Sequence, residues 1–561
     1  MPAPHACLPR PRRPHALPRP IPVGLVAALL CGLAVSAPRA SAAQRPAAPP
    51  LAVAAPFVNV GTVTLLRDDE ATDIDPASNA VSSGGTIVGN IDDALVRPIG
   101  TSMGQFTPVL ATDWSTNADQ SVWTFHLRHG VRFHTGRCCM TAEDARYSLG
   151  RTVAAGLTMS YMLGRFFTGN PLKQIKTIDP YTVEFALGRP QPAFLKALGS
   201  LFTPYILDAQ ALKAHATTSD PYAHNWATAH DLGTGPYMLQ SWQRGQQAVL
   251  VRFPGYWGGW SGRHFSKVVI REIPNAVTRR ELLERGQADL TYNLTPEDYD
   301  ALKANPAIRV IAPVGTEIVY VAMTEAGPLA PPAARQALSY AFPYGGYIRG
   351  VMRGYARRSY GPLPSALVGY DAHTFHYQTD LAKAKALLKQ AGITPGTTLT
   401  YASYRDNLME PGLLLQAQLA QLGLALKLQR LSEDAFNAIF YGSEPPAKRP
   451  NLMAYAWYPD YSDPYDEVVP LLASSAAGAN GANAGYYHNA QVDALIKQMK
   501  TASGAALVSA AHRLQAITGR LDPPSIWVSE PLEVTVAARS LEGFVPNPLA
   551  VRLYYFYGLS R

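Results

Sequence analysis

The sequence predicts an α/β protein of two or three domains, and three observations carry that expectation. At 561 residues the chain exceeds what one hydrophobic core can serve. Its composition, 47% apolar and 16% charged, is that of a globular protein. Late in the chain, strand and helix patterns alternate in the order that builds an open sheet, whose ligands sit off the carboxyl ends of the strands. The formal net charge of +8 says little about partners. Residues 1–43 hold Arg10, Arg12, Arg13, Arg19 and Arg39 and no acid; setting those five aside leaves 44 of the 49 basic residues against 41 acids. So even a balance, with no dense Lys/Arg run, argues against nucleic acid.

The N-terminus reads as a secretory signal peptide over residues 1–43. A basic region from Arg10 to Arg19 leads into an apolar one, Val23 to Val35, and then Ala40-Ser41-Ala42. The apolar core is too short to span a bilayer. Leu29-Leu30 before Cys31 are larger than a lipid-attachment site wants, so cleavage near Ala42 or Ala43 and a soluble mature protein are expected. Residues 44–56, rich in Ala and Pro, read as a disordered arm. Of the four cysteines, Cys7 and Cys31 leave with the signal peptide. Cys138 and Cys139 are neighbours, so free thiols are the plain reading, and a vicinal disulfide stays open in an oxidising compartment.

Val58 to Leu66 reads as the first strand. The acidic turn after it, Asp68 to Asp75, is either a solvated loop or an entrance favouring cationic groups. Trp123 to Arg128 alternates like a half-buried strand, and Val131 to His134 reads as a second short one. Thr141 caps a helix whose Asp144 can return the bond. His126, His129 and His134 fall on both faces and a turn, so no metal site is expected. Gly233-Thr234-Gly235-Pro236-Tyr237 gives two glycines for unusual backbone angles before a strand from Tyr237 to Trp242. Arg252 to Trp257 comes next and is similar to a strand ending in Tyr-Trp in the family named below.

Helices are expected over Thr278–Arg285 and Pro332–Ala341, with Ala288 to Thr291 as a strand between them. Asp380 caps a helix to Ala391. Thr397 to Ser403 is a strand with Tyr404-Arg405 at its end, Gly412 to Leu422 a helix, and Leu424 to Gln429 a strand. Asn451 to Ala456 reads as a strand that ends in Trp457-Tyr458-Pro459-Asp460-Tyr461-Ser462-Asp463-Pro464. The prolines and serine force a turn, which sets Asp460 among Trp457, Tyr458 and Tyr461. A carboxylate walled by aromatics is partly desolvated and wants a cation, either the protein's own Arg or Lys or a ligand's ammonium. Asn489 to Lys500 and Ala505 to Arg520 are helices, and Pro523–Trp527 and Glu533–Ala537 resemble the returning strands of the family named below.

Several of these runs, in order, resemble the bacterial extracellular solute-binding proteins of family 5, the oligopeptide, dipeptide and nickel receptors of ABC importers. The likeness lies in Pro108-x-Leu110-Ala111, Trp114, Phe125-x-Leu127-Arg128, Gly130-Val131-x-Phe133, Gly136 and Thr141-Ala142-x-Asp144, then in Gly233 to Tyr237. The stretch Arg137 to Met140 is one residue longer than usual for the family.

The resemblance implies the larger periplasmic-binding-protein fold (class II, cluster C): two α/β lobes around a ligand cleft with an additional subdomain. The implied division is lobe I over 57–96, the subdomain over 97–205, lobe I again over 206–314, lobe II over 315–524 and a return to lobe I over 525–561. It also implies that Asp460, the match to the Trp-x-x-Asp of peptide-binding members, pairs with a peptide's α-ammonium, with Trp457, Tyr458 and Tyr461 lining the cleft. Arg405 is the match for an arginine that holds the terminal carboxylate. Lobe closure would bury the ligand and present it to a permease and ATPase complex in the inner membrane. A periplasmic monomer without cofactor or metal is expected, and no enzyme: Gly-x-Ser-x-Gly, His-Glu-x-x-His and phosphate-binding glycine loops are missing from the sequence. Nickel, haem, a sugar or an opine-like compound stand as other cargoes for the same fold.

Overall fold

The computed structural model describes residues 56–202 and 204–561; the expected signal peptide and all but the last residue of the 44–56 arm lie outside them. Three sheets of more than two strands organise these residues. The largest runs in the order Tyr237–Gln243, Gln247–Arg252, Lys267–Glu272, Thr62–Arg67, Leu290–Tyr292, Thr535–Ala538 and Ile308–Ile311. Thr62–Arg67 lies at its middle, parallel to Lys267–Glu272 and to Leu290–Tyr292. Val63 and Leu65 pack into one core and Leu66 into another, so both faces of this strand are covered. The single strand expected from Val58 is two, because Gly61 turns at φ +92° between Asn59 and Thr62.

A four-stranded antiparallel sheet, Ala111–Thr116, Val122–Leu127, Thr182–Ala186 and Ile175–Asp179, is inserted between strands of the first. Trp123, Phe125 and Leu127 point into its core, as their alternation requires. The helix Ala142–Ala154 packs on it, and the Asp144 carboxylate accepts from the Thr141 N–H at 2.8 Å. The second short strand, Val131 to His134, does not form; pairing there is one bridge, Arg132 to Cys138, and Cys138 and Cys139 are joined in a vicinal disulfide. His126 binds Asp113 while His134 binds Asp231 and the Gly235 carbonyl, so the histidines serve separate local contacts.

The third sheet has six strands: Ala356–Arg357, Ser525–Pro531, Ile318–Met323, Leu452–Trp457, Thr398–Ser403 and Ala425–Arg430. All six residues of Ile318–Met323 are buried. The helix Pro332–Ala341 falls where its pattern places it, and Leu381–Gln390 starts at Asp380, whose carboxylate accepts from Lys383 N–H at 3.0 Å. The helix expected from Gly412 begins at Asp406 and runs through Pro411. Burial of Leu408, Leu415 and Leu419 along one face outweighs the hydrogen bond that Pro411 cannot make.

The chain passes from the seven-stranded to the six-stranded sheet between Ile311 and Ile318 and returns between Pro531 and Thr535, later than residue 525. The two passages are bridged to each other at Val314 and Leu532. Two further expectations are revised. The strand at 252–257 lies earlier, over Gln247–Arg252, because Pro254-Gly255 turns the chain out of the sheet. Neither Gly233 nor Gly235 has positive φ; both are glycine because a Cβ would collide with the backbone of Ile91. The need is for close approach rather than turn geometry.

Candidate functional site

The acidic run Asp68 to Asp75 is not simply a solvated loop. Asp75 is fully buried, its carboxylate held by Arg151 through two bonds of 2.8 and 2.6 Å and by His224 at 3.0 Å. Burial pushes its pKa up, but the Arg151 and His224 hydrogen bonds win and hold it at about 2. Asp68 and Asp69 instead border a cavity of about 1050 Å³.

Residues of both large sheets and of the two crossovers line this cavity. Tyr292 comes from the seven-stranded sheet, Ala456 from the six-stranded one, and Glu317 and Glu533 from the crossovers. Arg405 lines it too. It is exposed, stands just before the helix Asp406–Gln421, and holds its guanidinium 5.0 Å from the centre of the Tyr404 ring. Its neighbour Asp406 pairs with Arg430 at 2.8 Å, and no carboxylate among the described residues pairs with Arg405. Asn407 and Leu408, in the first turn of that helix, also face the cavity. A helix N-terminus beside a free guanidinium is a place for an anion.

Asp460 lies close by, but not among the lining residues, and neither do Trp457, Tyr458 or Tyr461. The link is local: Ser200 donates to the Asp460 carbonyl at 2.7 Å, and the next residue, Leu201, lines the cavity. The Asp460 carboxylate accepts from the Tyr161 hydroxyl at 2.6 Å, and its N–H donates to Asp466 at 2.7 Å. Tyr161 keeps 44% of its surface exposed. Arg165 pairs with Asp466 at 2.8 Å, so one arginine serves both carboxylates. Burial raises the pKa of Asp460, partly offset by the Tyr161 hydrogen bond and Arg165. Burial and then Asp460 raise Asp466 as well, so the pair tends to retain a proton. Glu467, fully buried beside them, has no hydrogen-bond partner on either carboxyl oxygen among the described residues, and burial raises its pKa well above the usual range.

The aromatic residues divide. Tyr458 is half-buried and stacks on Phe202 with ring centres 6.1 Å apart. Trp457 is half-buried at the strand's end, opposite Ile318. Tyr461 is a core residue instead of a cleft wall: it is fully buried against Phe166 in the core of the four-stranded sheet. The Pro459 turn points it away from the strand that precedes it. Tyr161 and Arg165 lie on a stretch without a motif, and Glu317, Glu533 and Arg552 reach the cavity only through the crossovers and the C-terminal segment. None of the five carries a sequence pattern that singles it out. Among the described residues no cluster of three His, Cys, Asp or Glu side chains is placed to hold a metal ion, and no helix is long and apolar enough to cross a membrane.

The family model for bacterial extracellular solute-binding proteins, family 5 Middle, matches residues 105–479. The chain is 28% identical over 458 residues to the probable D,D-dipeptide-binding periplasmic protein DdpA of Escherichia coli (strain K12), covering 81% of this chain and 84% of that one. It is 26% identical over 480 residues to heme-binding protein A of Haemophilus influenzae, covering 81% and 84%. Among solved structures it resembles the ABC transporter-associated periplasmic binding protein DppA from Helicobacter pylori in complex with the peptide STSA. There the TM-score is 0.78 and the identity 25%, with 89% of this chain and 98% of that one covered.

Proposed function

Because the chain belongs to the bacterial extracellular solute-binding proteins of family 5, we propose that it captures short peptides, or a related amine-bearing solute, for an ABC importer. The observation that carries the reading is an arginine without a carboxylate partner on the cavity wall, with an acid that has no direct ion pair in the segment next to that wall. Arg405 faces the cavity without a carboxylate, and the Asp460 carboxylate stands beside it with a hydroxyl as its direct partner. A zwitterion fits: its carboxylate goes to Arg405 and the helix N-terminus, its ammonium to Asp460, where a charge-assisted hydrogen bond in a closing cleft is strong. Relatives named for dipeptides and a neighbour holding a peptide support peptide cargo.

In this reading the seven-stranded sheet forms lobe I, the four-stranded sheet the added subdomain, and the six-stranded sheet lobe II. Contacts from both lobes favour the closed form, which then docks on a membrane permease. The protein acts as a periplasmic monomer after export and removal of residues 1–43, and it binds without turnover. The test is mass spectrometry of whatever leaves the purified protein on denaturation, followed by calorimetry with di- and tripeptides, haem, nickel and sugars on the ligand-free form. Peptide binding without hydrolysis is expected. Binding of only a non-peptide cargo, or peptide turnover, would overturn the reading.

A further inference from the structure

The charges around the cavity are unevenly matched at the crossovers. Glu317 stands on the outgoing passage and Glu533 on the return, and both line the cavity. Arg552 lines it as well and pairs with Glu317. Arg552 is itself held at φ +57°, an uncommon conformation for a non-glycine residue, with its carbonyl accepting from Thr86 at 3.2 Å. Glu533 is half-buried, yet its side chain makes neither an ion pair nor a hydrogen bond among the described residues; only its N–H is engaged, to the Pro313 carbonyl at 3.0 Å. Gly315 supplies the room that this side chain occupies, since a Cβ there would overlap Glu533 Cγ and stand 3.1 Å from Oε1. Of the two carboxylates, only Glu317 is in ion-pair contact with Arg552. The other acids on this side are already engaged: Tyr292 donates to Asp69 at 2.9 Å and Asn293 to Asp68 at 3.2 Å.

We propose that Glu533 is a specificity-determining ligand contact that accepts a second cationic group, a lysine-type amine or a guanidinium, on the peptide whose α-ammonium goes to Asp460. The inference rests on the peptide-capture reading. Partial burial of a carboxylate without a partner is costly. Asp75 and Glu317 each have a base of their own, Arg151 and Arg552, and the unpartnered Glu467 is walled in by protein, whereas Glu533 is an acid without a direct partner that lines the cavity. At Glu533 the missing partner faces an empty volume at the upper end of the range for small-ligand sites, which leaves room for a long side chain beyond the peptide backbone.

The test is calorimetric titration of the ligand-free protein and of Glu533→Gln with Lys-Ala, Ala-Lys and Ala-Lys-Ala, each beside its norleucine counterpart, which lacks only the amine. For at least one lysine peptide the parent protein should bind roughly ten- to a hundredfold more tightly than the norleucine form, from the usual worth of a hydrogen bond to a charged group. Glu533→Gln should erase that preference while keeping its affinity for the norleucine peptide, which also shows that the variant is folded. Equal binding of the two peptides by the parent, or a preference that survives in the variant, would overturn the inference and leave peptide capture standing. No binding of any of the six peptides would refute both. A variant that loses the norleucine peptide as well would place Glu533 in the framework and overturn its role as a ligand contact.

Discussion

Replacing Asp460 with asparagine tests the proposed ammonium site directly. The substitution removes the charge and keeps the shape, and the Tyr161 hydroxyl, 2.6 Å from Oδ2 in the parent, can still donate to the amide oxygen. Removing one partner of a desolvated charge pair in an interface costs about 2–5 kcal/mol. The structure places the effect in the lower part of that range, because Arg165 and Tyr161 already stabilise the carboxylate before a ligand arrives. About 2–3 kcal/mol corresponds to a roughly 30- to 150-fold weaker Kd. The assay is calorimetry with Ala-Ala and with its N-acetylated form. The parent should lose affinity on acetylation, whereas Asp460→Asn should scarcely distinguish the two.

A second readout has the opposite sign. Burial raises the pKa of Asp460, so the folded protein favours the protonated acid. That contribution is full below the unfolded value and fades as pH rises through the raised one. At neutral pH the ionised side chain therefore opposes folding, and the ligand-free variant should melt at the same temperature or higher. A Kd within threefold of the parent, in a variant that melts normally, would refute the assignment.

Arg405→Ala should weaken binding of peptides with a free C-terminus by about 1.5–3 kcal/mol and leave C-amidated peptides nearly unchanged, as calorimetry would show. Asp75→Asn strips the partner from buried Arg151 and should lower the unfolding free energy by about 3–5 kcal/mol in urea titration. In the parent the ionised Asp75 stabilises fully above the unfolded carboxyl value of 3.8, and that contribution is lost as pH falls through about 2. Burial and Glu317 push Glu533 up to about 7 against the pull of Arg552. The other facing groups are Tyr299 and Tyr554, which burial raises out of the range. Since a cation binds the ionised acid, the lysine-over-norleucine preference should grow up to about tenfold from pH 6 to pH 8 in matched titrations.

Most of the framework was legible from periodicity and punctuation. Pro332–Ala341 and Leu381–Gln390 could be read because proline, aspartate and glycine mark their ends and one apolar face runs through them. The misplacements arose where tertiary packing overrode a local signal: Pro411 inside a helix, and Gly233 and Gly235 fitted against Ile91. The site was only half legible. Arg405 and Asp460 stand at strand ends, where an open sheet presents its ligands. Tyr461 could not be separated from its neighbours, because the turn that sends it into the Phe166 core depends on contacts more than 290 residues apart. Glu533 was invisible for a related reason: its isolation is a property of what Gly315 and Arg552 do around it.

The bridge from Val314 to Leu532 constrains how this molecule can be instrumented. The two passages run antiparallel at that bridge, and Glu533 N–H donates to the Pro313 carbonyl at 3.0 Å beside it. A fluorescent protein spliced into either passage would splint the joint and mute its own signal. Dyes are better carried on outward positions such as Val277 and Leu413, 58% and 48% exposed, on helices that succeed strands of opposite sheets. Their separation would then report the proposed lobe closure while the bridge is left untouched.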